Sequence, residues 1–463
     1  MRTHAICAAI CCAFNSTGLA WAQSEASDDV REEIRRLRER MGALEKRHAS
    51  DQQRIGHLEQ QLSEGGAERE DPWLAERRAE ETRRLVQEVL ADADMRTAST
   101  QADAPSGWGQ GNLFNPQITA FLDMGASVST NENNKALNRF NLREAELDIR
   151  GAIAPFADGI LILAIGEEIE EEEDGIAIDT AFELEEGYIN FHTLPYDLQV
   201  KGGKFRNAFG RNNLLHGHDL PQITRPLAVQ AFFGPEGLAT VGASANWLVP
   251  NPWDKYVELT AEVVNADGGE ESPVPGGPNA DNPAVITHLK FFDDVGDTGS
   301  FELGGSYMYA RTSDDHEFDA GVFGLDAMYK WLDPAAPDFR SLLLQSELFW
   351  ASNDIAESDM GPFRNDSFGM YAFAQYQFDQ NWYTGLRFDY TEFPNSEIFG
   401  PDDSQWAVSP YISWYVTEFL RLRFEYQHRD YEMSGNRDSE DNFLIGLTFS
   451  IGAHPPHPYW VNR

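Results

Sequence analysis

The sequence predicts an all-β fold: a 16-stranded antiparallel transmembrane β-barrel preceded by an N-terminal α-helical coiled coil. Three observations predict it. Short segments of alternating apolar and polar residues recur from about residue 117 to residue 451. The connections between them are short and long in turn. No apolar run of 18 or more residues follows residue 23, so strands and not helices are left to cross a bilayer.

The alternation is clearest in Tyr256 to Val264, where Val257, Leu259, Ala261 and Val263 share one face and Glu258, Thr260 and Glu262 the other. Trp382, Leu386, Phe388 and Tyr390 likewise oppose Arg387 and Asp389. Leu420 to Tyr426 and Phe443 to Phe449 repeat the pattern. A period of two is the strand period, because successive side chains point to opposite faces. The apolar face has two possible partners: a second sheet in a soluble sandwich, or lipid around a closed barrel.

The 463 residues carry a formal net charge of −40, which excludes nucleic acid as the main partner. Residues 1–22 have the form of a signal peptide: Arg2 and His4, an apolar stretch from Ala5 to Phe14, and Ala20-Trp21-Ala22 as a small-x-small cleavage site. All three cysteines, Cys7, Cys11 and Cys12, fall inside it. The segment 23–64 reads as a coiled coil. Ile34, Met41, His48, Ile55 and Leu62 take one seam position; Val30, Leu37, Leu44, Asp51 and Leu58 take the other. A single helix packed on a domain is the alternative. Residues 65–111 form a charged helical segment and a linker, 112–451 the barrel, and 452–463 a C-terminal tail.

Within the barrel the predicted strands are 117–128, 140–153, 159–170, 180–192, 198–206, 238–249, 255–265, 284–292, 299–311, 319–331, 341–352, 366–378, 381–392, 404–415, 419–429 and 441–451. Most approach the ~9–11 residues that a tilted membrane strand needs. Short connections on one end and long ones on the other are the expected asymmetry of an outer-membrane barrel. Tyr307, Tyr309, Tyr329, Trp331, Trp350, Trp382, Tyr390, Trp406, Trp414 and Tyr426 lie near strand ends on the apolar face, as interfacial girdles require. The opposite faces carry Asp123, Glu144, Glu146, Asp148, Arg150, Lys290, Arg387, Arg421 and Arg423. Unpaired charges are too costly for a dry interior, so these are expected to line a water-filled lumen.

One connection breaks the rhythm: residues 207–237, the third loop on the long-loop end. Around it gather Lys201, Lys204, Arg206, Arg211, His216, His218 and Arg225. Folded inward, such a loop would place these cations at a pore constriction; left outside, they are solvated charges or subunit contacts. The acidic run from Glu167 to Asp174 is expected where the third strand meets its outer loop, either solvated or gathering divalent cations. His454 and His457 make half a metal site at best and are assigned to the tail. No G-x-S-x-G, H-E-x-x-H, P-loop or C-x-x-C motif is present, so the reading is of a non-enzyme with no cofactor and no resident metal.

Segments from Arg139 to Gly151, Leu184 to Phe191, Val200 to Gly210 and Phe233 to Gly237 resemble the phosphate-selective porin O/P family. The resemblance covers roughly residues 115–451. It implies a trimeric, sixteen-stranded outer-membrane channel with an inward-folded third loop, and a lumen of Arg and Lys in members that select phosphate. Here residues 111–463 hold 21 Lys+Arg against 56 Asp+Glu. The expectation is an outer-membrane porin of a Gram-negative bacterium, its N-terminal segment in the periplasm. It would pass small hydrophilic solutes or ions, phosphate or other anions among them. Its expected partners are outer-membrane lipid, lipopolysaccharide and two further copies of itself. The alternatives are a cation-preferring channel and a structural anchor presenting the coiled coil.

Overall fold

In the computed structural model, the described residues are 116–131, 138–172, 175–266, 274, 282–311, 319–336, 339–355, 363–394, 403–433 and 435–452. The predicted signal peptide, coiled coil, linker and most of the tail lie outside them. The described chain is a closed barrel of sixteen antiparallel strands, each hydrogen-bonded to its sequence neighbours. The first eight are β1 (Gln117–Ser129), β2 (Phe140–Ala154), β3 (Ala157–Glu172), β4 (Gly175–Leu194), β5 (Leu198–Arg206), β6 (Ala239–Leu248), β7 (Tyr256–Val264) and β8 (Ala284–Val295). There follow β9 (Gly299–Arg311), β10 (Asp319–Leu332), β11 (Ser341–Ile355), β12 (Phe363–Asp379), β13 (Trp382–Glu392), β14 (Ser404–Thr417), β15 (Leu420–Met433) and β16 (Asn436–Gly452). Strands β1 and β16 close the ring in register from Thr119↔Gly452 to Ser129↔Asn442. Closure leaves no unpaired edge, the one arrangement of sheet that hydrocarbon tolerates. Among the described residues no helix is long and apolar enough to cross a membrane.

Alternation sorts the two faces as the sequence predicts. On β13 the outward Leu386 and Phe388 are 52% and 41% exposed while the inward Arg387 and Asp389 are fully buried. Aromatic residues band the outer wall at both ends. Phe323, Trp350, Phe368 and Tyr390 form a row across β10 to β13, with successive ring centroids 5.8, 5.3 and 6.2 Å apart. Toward the other end Trp382 stacks on its cross-strand partner Trp414 at 5.4 Å.

Two expectations are corrected. The acidic run does lie at the outer end of the third strand, but the strands reach further than predicted: β3 continues to Glu172 and β4 begins at Gly175. Ile169 pairs with Ile178 there, and the surrounding charges hid the alternation. The lumen, moreover, is not simply water-filled. Inward residues of β8 to β12 include Ile286, Met308, Val322, Phe349 and Phe373, all buried in one apolar cluster with the third loop.

Candidate constriction site

Residues 207–238 connect β5 to β6 and fold into the lumen. They contain two short 3-10 turns, Asn212–Leu214 and Gly217–Asp219, and one helix, α1 (Leu227–Phe233). Six of the seven residues of α1 are apolar, and it buries Phe232 and Phe233 against Phe209 and Phe349, with centroids 4.9–6.3 Å apart. This fills the β8–β12 side of the barrel.

A buried loop carries backbone groups that need partners. The wall supplies them by charge. Carboxylates accept the loop's N–H groups. Glu262 Oε2 accepts from Asn207 Nδ2 at 2.9 Å and Ala208 N at 3.2 Å. Glu347 Oε1 accepts from Asn212 N at 2.7 Å and Arg211 N at 3.2 Å. Glu425 Oε2 accepts from Ile223 N at 2.6 Å and Thr224 N at 3.0 Å. Asp389 Oδ1 accepts from Leu227 N at 3.1 Å. Guanidiniums donate to its carbonyls. Arg387 Nη1 reaches Thr224 O at 2.6 Å, and Arg423 Nη1 reaches Gln222 O at 2.7 Å. Arg421 donates to Leu220 O at 3.0 Å and also to His218 O. Arg143 Nη2 reaches Ile223 O at 2.8 Å.

Two β-bulges sharpen the other half of the wall. Asp123 pairs with Glu144 and Met124 with Leu142, which leaves Arg143 as an extra residue in β2. Ile162 pairs with Glu186 and Leu163 with Leu184, which leaves Glu185 extra in β4. A bulge lets consecutive side chains face the same way. Arg143 Nη1 lies 3.1 Å from Asp123 Oδ2, and Glu185 and Glu186 both face the loop.

The seven cations singled out around the loop fall into different places. Arg206 Nη2 lies 3.6 Å from Glu185, and its Nη1 donates to Glu236 O at 2.5 Å. Arg211 pairs with Glu302 at 2.6 Å. His216 lies between Glu185 (Nδ1 to Oε2, 2.6 Å) and Glu186 (Nε2 to Oε1, 2.9 Å). His218 stacks on Phe121 at 4.3 Å and faces Glu146 at 3.5 Å and Glu144 at 3.7 Å. Arg225 is buried and donates to Asn212 Oδ1 at 3.1 Å and Leu215 O at 2.9 Å. Lys201 stands in the lumen 5.2 Å over the Tyr188 ring. Lys204 points out of the barrel instead. It pairs in register with Gly187 and the exposed Val241, and binds Glu183 at 2.9 Å. One residue's shift along a strand reverses the face, and the turn into the loop hid that parity.

Burial alone would depress the His218 imidazole, but Glu146, Asp219 and Glu144 overcome it and carry its pKa up to about 9. Burial and Arg206 act downward on His216, and Glu185 and Glu146 outweigh them, holding it well above its ordinary value. The predicted lumen charges Asp123, Glu144, Glu146, Asp148, Arg150, Lys290, Arg387, Arg421 and Arg423 all lie on inward faces. Lys290 pairs with Glu258 at 2.7 Å, Arg150 with Asp148 at 2.8 Å and Arg423 with Asp123 at 2.8 Å. Glu185, Glu186, Glu262, Glu302, Glu347, Asp389 and Glu425 were not anticipated as a set. Their signal was an inward acid on every second strand from β7 to β15, with two more on β4, facing a loop short of acids.

The space left open lies between the loop and the β1–β5 wall. One cavity of about 370 Å³ is lined by Asp148, Arg150, Tyr188, Lys201, Glu186 and Asp219 among others. A second, of about 230 Å³, lies beside Gly125, Asn141, Arg143, Thr224 and Leu444. His218 borders the first and its neighbour Gly217 the second.

No protein-family model matches the chain. It is 30% identical over 352 residues to an uncharacterized protein of Aquifex aeolicus (strain VF5), across 69% of this chain and 70% of that protein. The chain belongs to the same family as that protein. Among solved structures, the outer membrane channel DcaP of Acinetobacter baumannii superposes with a TM-score of 0.50 at 9% identity, over 73% of this chain and 97% of that one. Pseudomonas putida OprB gives a TM-score of 0.50 at 12% identity, over 73% and 94%. The fold is therefore that of outer-membrane porin barrels, and nothing in these likenesses singles out the phosphate-selective family.

Proposed function

We propose that the chain is an outer-membrane porin of a Gram-negative bacterium, a passive channel for small hydrophilic solutes that prefers cations to anions. The carrying observation is the loop laid across the lumen with its cations paired to wall carboxylates. Phosphate selection would need basic groups open to the passage. The passage wall brings Glu146, Asp148, Glu186 and Asp219 together with Arg150, Lys201, Arg206, His216 and His218, and Arg150, Arg206, His216 and His218 each lie beside an acid. The shared fold with an outer membrane channel supports conduction; the excess of acids over the barrel as a whole, 56 Asp+Glu against 21 Lys+Arg in residues 111–463, argues for the cation through the field at the channel mouths. The short-turn end, with connections such as 155–156 and 380–381, is assigned to the periplasm. No catalysis is proposed. Assembly as a homotrimer is part of the same proposal.

The test is single-channel conductance of the folded protein in a planar bilayer under a salt gradient. A reversal potential of the sign set by cation flow is expected. Anion preference would overturn the selectivity. No channel events from folded barrels would remove the porin reading in favour of a structural anchor carrying the predicted coiled coil.

A further inference from the structure

The bulges and the inserted loop bring a mixed set of ligand atoms to one point. Glu144 and Glu146 of β2, Glu185 of β4 and His216 of the loop each offer one atom, and all four atoms lie within 4.8 Å of one another. Glu146, Glu185 and His216 are buried. Hydrogen bonding does not account for this gathering. Glu146, only 3% exposed, has its Oε2 buried and accepting no hydrogen bond, at 3.4 Å from His216 Nδ1 and 3.5 Å from His218 Nδ1. Glu144 Oε1 is likewise buried and accepts none. A carboxylate oxygen out of water and without a donor is costly, and neighbouring carboxylates raise that cost.

We propose that Glu144, Glu146, Glu185 and His216 form a binding site for a first-row divalent metal ion, Zn²⁺ or a near neighbour, at the throat between the loop and the wall. A divalent ion would give Glu146 Oε2 and Glu144 Oε1 the direct bonds they now lack. Its bonds to nitrogen and oxygen are ~2.0–2.2 Å, so ligands around it stand a little over 3 to about 4 Å apart. The observed set is close to that spacing. An imidazole ligand favours the zinc-like ions over Ca²⁺ and Mg²⁺, which prefer oxygen alone. The hydrogen between His216 Nδ1 and Glu185 Oε2, now 2.6 Å apart, would pass to solvent as the metal takes its place. The ion would join the loop, through His216, to two separate wall strands. The rival account is that imidazolium groups alone hold the carboxylates and no metal enters.

The test is Zn²⁺ binding to the folded full chain in detergent after chelator dialysis, read by calorimetry and by metal content. Ca²⁺ and Mg²⁺ serve as comparison ions. One Zn²⁺ per barrel is expected, weakened at least tenfold by Glu144→Gln or Glu146→Gln and unchanged by the tail variant His454→Ala/His457→Ala. Heat-modifiable electrophoretic mobility shows which variants are folded; Glu144→Gln, the least buried change, guards against a misfolded Glu146→Gln. No uptake, uptake lost in the tail variant alone, uptake indifferent to both wall variants, or equal affinity for Ca²⁺ would each overturn the site. The binding measurement needs no conduction, so a barrel that binds Zn²⁺ but passes no current keeps this inference and loses the channel reading.

Discussion

Glu425 offers the sharpest test of how the loop is held. Its carboxylate accepts Ile223 N at 2.6 Å, Thr224 N at 3.0 Å and Thr224 Oγ1 at 2.5 Å. Each bond to an ionised acceptor contributes about 1.5–3 kcal/mol. Glu425→Ala removes all three and strands two amides, although water entering the gap recovers part of the loss. Arg387 keeps Asp389 at 2.7 Å and Thr224 O at 2.6 Å, so the effect stays local. We expect about 3–4 kcal/mol less protection of the loop, somewhat below the summed range because water re-enters the gap, and comparable to breaking a buried ion pair. At 1.4 kcal/mol per decade this is roughly 100- to 1000-fold faster amide exchange around residues 223–224. The assay is hydrogen exchange by mass spectrometry on the folded barrel, with Glu425→Gln as the shape-preserving comparison, expected to lose less. Unchanged exchange in Glu425→Ala would refute the claim that wall carboxylates anchor the loop. In bilayers the same variant should conduct more, with a noisier open level.

Other expectations follow from single contacts. Gly203 has φ +139°, and a Cβ there would sit 2.2 Å from Gly187 O; Gly203→Val should cost at least about 2 kcal/mol, read as a lower urea midpoint of folding. Arg423→Met frees Gln222 O, leaves Leu220 O to Arg421 alone and leaves Asp123 with Arg143 as the guanidinium at 3.1 Å; a loss of about 3 kcal/mol in the same unfolding assay is expected. Asp148→Asn removes an acid from the passage beside Arg150 and should move the reversal potential toward that of a less cation-selective channel, with folding unchanged.

The fold was legible because a barrel writes itself one strand at a time. Period-two alternation in segments such as Leu420 to Tyr426 fixes both the strand and its lipid-facing side. The site was less legible, for a reason that is also local. Inward charges such as Arg387, Arg421 and Arg423 look from the sequence like lumen lining. They prove fully buried because residues 218–224 of the distant third loop fold back on them. Whether a polar side chain meets water or a backbone carbonyl depends on a partner some 200 positions away, as with Arg421 and Leu220, and no period records that. Bulges add a second blind spot. The extra residues Arg143 and Glu185 break the alternation by one position each, and a strictly alternating reading assigns such neighbours to opposite faces. The result reverses the first inference from composition. A strongly acidic barrel need not present its acids to the passage, because Glu262, Glu347, Asp389 and Glu425 are used on loop amides. Under the proposed channel reading, the charges beside the remaining gap, Asp148, Glu186 and Lys201 among them, then weigh most on a passing ion.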